Sequence, residues 1–137
     1  MKHVLGVCLI TFVLTAMTGA QDPTKPMRRP GITVQMPSSS QAVEMPEADK
    51  EDVTVVSVTA DGKLFLGLQP VELIALSSLN EKIVYVKADS RTTYQNVLAV
   101  LDALRGRHVV LLTAPTSRVP EGTITQPYGL KLKLGAE

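Results

Sequence analysis

Apolar and polar positions divide the chain into an apolar start, a proline-rich stretch and a folding region. From Val4 to Ala20, "VLGVCLITFVLTAMTGA", no residue is charged. The run is about 17 residues, the lower limit for a transmembrane helix. Lys2 ahead of it, the apolar centre Val4–Leu14 and the small residues Thr18 and Ala20 also suit a secretory signal peptide that releases Gln21. A buried core helix is the weakest of these three readings, because the run has no polar face.

The folding region begins near Asp52. "VTVVSV" is β-branched and predicts a strand. Asp61–Gly62 is a type I′ turn signal, and "KLFL" returns as the second strand of a hairpin. Gly67 and Pro70 end that strand. "VELIALSSL" then predicts a short helix with Pro70 near its first turn. "KIVYVKA" and "HVVLLTA" are almost continuous apolar runs, as expected of interior strands buried on both faces. Between them, "DSRTTYQNVLAVLDALRG" predicts the clearest helix of the chain. Ser90 or Asp89 caps it, and Tyr94, Val97, Leu98, Leu101 and Leu104 share an apolar face. Gly106 serves as the C-terminal cap.

A strand, an amphipathic helix and a second strand make a βαβ unit, so these two strands are expected to be parallel with a right-handed crossover. The resulting expectation is an α+β domain over 52–114, with helices on one face of a small mixed sheet. In the tail 115–137, the alternation of "GLKLKLG" predicts one further, edge-type strand.

Residues 22–51 read as a linker. Pro23, Pro26, Pro30, Pro37 and Pro46 hold it extended, and Ser38–Ser40 loosen it. Within it Ile32, Val34 and Met36 alternate with Thr33 and Gln35, the pattern of a short strand over 32–36 that Pro37 terminates. Such a tethered strand suits a sheet edge of its own domain or of a partner.

Composition removes several function classes. With 137 residues, there is room for one small folded domain after the apolar run and linker. A net charge of +1 gives no field for nucleic acid, and 4% aromatics give no stacking platform. Cys8 is the only cysteine, so neither an intrachain disulfide nor a cysteine zinc site is available. No glycine-rich phosphate loop or histidine pair at metal-ligand spacing occurs, and no cofactor or metal is expected. His108 opens a strand and reads as a structural histidine. Asp89 stands between strand and helix, where ligands often bind, but helix capping is the simpler role. An enzyme is not expected.

The order of elements resembles the ExbD/TolR family of energised bacterial transport complexes. "VTADGKLFLGLQPVE" is similar to that family's hairpin followed by a short helix. "VYVKADSRTTYQNVLAVLDALR" is the most specific match, through Asp89, Tyr94 early in the helix, and Asp102 in its second half. "GITVQMP" is similar to the segment just after the family's span. The resemblance implies that the opening run is a membrane anchor (residues 1–21) rather than a cleaved signal. It further implies a single pass through the bacterial inner membrane with the C-terminal domain in the periplasm.

By the same resemblance the partners are an ExbB/TolQ-like channel subunit, a TonB-like protein or peptidoglycan, and a second copy in a homodimer. The work done would draw on the proton-motive force. The family's span carries an aspartate near its cytoplasmic end, and His3 occupies that place here. His3 is therefore the proton-relay candidate, since imidazole titrates near neutral pH. Lys25, Arg28 and Arg29 follow the run and only Lys2 precedes it, a bias that opposes an outside C-terminal domain. The alternative from another class is a secreted or periplasmic binding module that kept the domain without motor coupling.

Overall fold

The computed structural model describes residues 30–117 and 126–134. The apolar run and His3 lie outside these residues. The elements are β1 (Val43–Glu44), β2 (Thr54–Val58), β3 (Leu64–Leu66), β4 (Gln69–Val71), α1 (Leu73–Ser77), β5 (Ile83–Ala88), α2 (Tyr94–Ala103), β6 (His108–Thr113) and β7 (Tyr128–Lys133). The seven strands form one mixed sheet in the order β1-β7-β6-β5-β2-β3-β4.

The two apolar runs become the centre of that sheet. β5 and β6 pair in parallel with Val84 opposite Val109, and α2 connects them as the βαβ pattern requires. β2 pairs in parallel with β5 on the other side, Val56 opposite Val86. Alternate residues of these strands serve different cores, because side chains of a strand point to opposite faces. Val56, Val58, Val84, Val86 and Val109 meet Leu76 of α1 and Val100 and Leu104 at the end of α2, forming the main core. Tyr85, Val110 and Leu112 form a second cluster with Met45 and Ala48.

That second cluster corrects the linker expectation over 30–51, the described part of 22–51. Pro46 opens a short 3₁₀ turn, Pro46–Asp49, that seats Met45 and Ala48 at 4% and 5% exposure. Met36 packs against the same cluster. The segment lacks the composition to bury a core of its own, but it needs none: the sheet's second face supplies the apolar partner. No strand forms over 32–36. The segment is extended without a ladder, and the first strand among the described residues is Val43–Glu44.

Two expectations about the hairpin and the segment after it also change. The β2–β3 connection is not a type I′ turn, since no described non-glycine residue has a positive φ. The Gly62 N–H instead donates to the Thr59 carbonyl (2.9 Å) and the Thr59 N–H to the Lys63 carbonyl (3.0 Å), leaving Gly62 alone at φ 84°. This is the three-residue loop in which a left-handed glycine closes an ordinary turn. Pro70 does not start a helix. It lies in β4, an edge strand, where its missing N–H leaves no ladder bond unmade.

The helix α2 is capped by Thr93, whose hydroxyl accepts from the Asn96 N–H, and neither Ser90 nor Asp89 caps it. Its inward stripe is Val97, Val100, Leu101 and Leu104. Tyr94 and Leu98 are 76% and 41% exposed on the neighbouring flank. A period of 3.6 residues admits both stripes, and contact with the sheet selects one of them. At the far end Gly106 adopts φ 86°, the left-handed conformation expected after a helix. The predicted tail strand forms as β7, antiparallel to β6 along Tyr128–Lys133.

Candidate functional site

The parallel strands β5 and β6 lie side by side, and the segment 35–38 crosses their carboxyl ends. Asp89 is the first residue after β5. Its N–H donates to the Val58 carbonyl at the end of β2 (2.8 Å), which fixes the backbone there. Its carboxylate is 3% exposed. Oδ2 accepts from the Gln35 N–H (3.1 Å) and from Arg91 Nη2 (2.9 Å), while Oδ1 accepts from the Arg91 N–H (3.0 Å) and Nε (2.8 Å). The Ser90 N–H completes the junction by donating to the Gln35 carbonyl (2.7 Å). Two residues on, the Ala114 N–H donates to the Pro37 carbonyl (2.9 Å), and Ser38 forms a parallel bridge with Ala114 after β6.

The electrostatics follow from these donors. The Arg91 guanidinium holds the Asp89 carboxyl far below the usual carboxylate range, and the Arg91 and Gln35 backbone N–H groups lower it further. The same pair raises Arg91. A carboxylate with both oxygens engaged by donors is a poor proton acceptor and a strong clamp. Its chemistry is therefore to hold the crossing segment against the strand ends.

Between the crossing segment and the sheet runs a groove of about 250 Å³. Met36, Ala48, Ser57, Lys87, Leu112 and Tyr128 are among the residues lining it. Gly31 passes so close to Lys87 that an added Cβ would lie 3.2 Å from Nζ.

Of the residues singled out by sequence, Asp89 and Met36 meet the crossing segment's packing directly. Ile32 and Val34 are half-buried along that segment, outside any strand. Tyr94 is exposed on the outer flank of α2, and Asp102, also exposed, pairs with Arg105 (2.9 Å). Sequence reading missed Gln35 and Arg91. An aspartate two residues before an arginine at a strand end was the one available signal for Arg91. Gln35 contributes only backbone atoms, which leave no trace in residue identity. Arg107 was missed too: its guanidinium donates to the carbonyls of Ser77 and Leu79, each at 3.1 Å, tying the end of α1 to the start of β6.

The family model for biopolymer transport protein ExbD/TolR matches residues 1–116. The chain belongs to the ExbD/TolR family. ExbD/TolR proteins are inner-membrane-associated transport accessory proteins rather than enzymes, and they generally work with ExbB/TolQ and TonB/TolA-type partners. The α+β domain with its seven-stranded sheet and two helices fits an ExbD periplasmic domain. No curated protein matches the chain. Among the described residues, no helix is long and apolar enough to cross a membrane. The ExbD/TolR match includes the whole crossing segment and Asp89, whereas β7 lies beyond it.

Proposed function

We propose that this chain is the single-span subunit of an envelope transport complex driven by the proton-motive force. The family match supports this reading most, because it runs continuously from the apolar run Val4–Ala20 into the folded domain. In this reading the run anchors the protein in the inner membrane beside an ExbB/TolQ-like channel subunit. The domain stands in the periplasm as part of a homodimer and acts on a TonB-like protein or on peptidoglycan. The clamp at Asp89 gives the tether a fixed point: force arriving through residues 31–37 reaches the sheet at the ends of β5 and β6. His3 serves as the proton-relay group at the cytoplasmic edge of the run, since imidazole titrates near neutral pH.

A second reading is a secreted or periplasmic binding module without motor coupling. It is favoured by the run itself: Val4–Ala20 contains no acidic residue and ends in the small residues Thr18 and Ala20 that suit a signal peptidase.

Membrane extraction separates the two. Under the first reading, the protein stays with membranes through an alkaline carbonate wash and its mass includes residues 1–21. A soluble product beginning at Gln21 would leave only the binding module.

A further inference from the structure

The sheet has one edge whose chemistry is specific. β7 pairs with β6 along its full length, but its outer side is covered only at Tyr128 and Gly129, which face Glu44 and Val43 of β1. Ahead of β1 the chain turns away, the Ala42 N–H donating to the Ser39 carbonyl (3.2 Å). Among the described residues, Leu130–Lys133 therefore have no strand on their outer side. Unpaired backbone donors and acceptors on such an edge are a template for an added strand.

The side chains of that edge alternate. Lys131 lies opposite Val110 and Lys133 opposite His108, so both lysines stand on the sheet's second face, and both are exposed. Leu130 and Leu132 are half-buried, with Leu132 packed against the main core on the other face. A cleft of about 830 Å³ adjoins the lysines, with Val43, Ile83, Tyr85 and His108 along it and the carboxylates Glu44 and Glu47 on its β1 side, so the positive charge of this region lies on the β7 edge itself.

These charges choose the occupant. Antiparallel pairing of β7 with the β7 of a second copy, with faces matched, sets lysine across from lysine, and like charges directly opposite destabilise a sheet. An incoming strand with carboxylates at every second position meets Lys131 and Lys133 favourably, while its intervening apolar residues extend the row of Leu130 and Leu132.

We infer that the open edge of β7 is a docking site for an extended protein segment that alternates acidic and apolar residues. The site does not depend on whether the domain is anchored or energised.

The test uses the full chain in detergent and two fluorescent peptides of about eight residues, one alternating Val with Glu and the other Val with Lys. The acidic peptide binds at least roughly tenfold tighter than the basic one, as expected for a charge-selected strand. Its binding protects the amides of 130–133 from hydrogen exchange. The double variant Lys131→Glu, Lys133→Glu reverses the preference, and its binding of the basic peptide shows that the variant is folded. Equal binding of the two peptides, an unchanged preference in the variant, or protection confined to other segments would overturn the inference. So would protection of 130–133 that grows with protein concentration alone, because a second copy would then be the occupant.

Discussion

Asp89 and Gln35 are 54 positions apart in sequence and are joined by a backbone N–H donated to a carboxylate oxygen at 3.1 Å. That bond and its return partner, the Ser90 N–H on the Gln35 carbonyl, fasten the segment that leads from the chain's apolar start to the end of a central strand.

The clamp has a defined pH dependence. The Asp89 pKa is lowered in the folded protein, so its contribution is complete above the unfolded carboxylate value of about 3.9 and fades as pH falls toward the folded value. Asp89→Asn removes the charge and with it this acid-sensitive contribution. In urea denaturation, the stability gap between wild type and the variant is expected to be constant from neutral pH down to mild acid and to shrink under stronger acid. A gap that widens on acidification would reverse the sign of the linkage. Amide exchange at Gln35 and Ser90 should rise in the variant.

Leu104 is fully buried where α2 ends, while Leu98 is 41% exposed on its flank. Leu104→Ala is expected to cost roughly 2–5 kcal/mol, combining lost burial with the cavity left behind. Leu98→Ala should stay within about 0.5 kcal/mol. Comparable losses for both would place the inward stripe of α2 wrongly.

Gly62 carries two constraints at once. Its φ of 84° disfavours any side chain, and a Cβ built there would lie 2.5 Å from Asn96 Nδ2 at the start of α2. Gly62→Ala should destabilise by about 1–2 kcal/mol from the backbone conformation, and by more if Asn96 cannot move. Asn96→Ala in the same background relieves only the second part. Thermal melts of the two single variants and the double variant measure the split.

The parts of the fold that depend on neighbours in sequence were legible. "KIVYVKA" and "HVVLLTA" read as strands buried on both faces, and Val84, Val86 and Tyr85 divide between two cores as that pattern demands. The partner on the second face was harder to see. Tyr85, Val110 and Leu112 imply a covering layer, but Met45 and Ala48 sit in a proline-rich stretch whose composition suggests no packing role. Tyr94 shows the limit of periodicity, since Tyr94–Leu98 and Val97–Leu101 are equally spaced and only packing separates them. At the candidate site, Asp89 was visible as a residue between strand and helix. Its engagement with the Gln35 backbone was not, because a main-chain donor can come from any amino acid.

The central claim is that the folded domain works through its membrane anchor as part of an energised transport complex. Its most direct test is energy-dependent uptake in the native host lacking this chain, restored either by the full sequence or by residues 21–137 exported with a cleavable signal. The account predicts that the full chain restores uptake, that a protonophore abolishes it, and that the exported domain restores none. Equal restoration by the exported domain would contradict the account and establish the binding-module reading in its place.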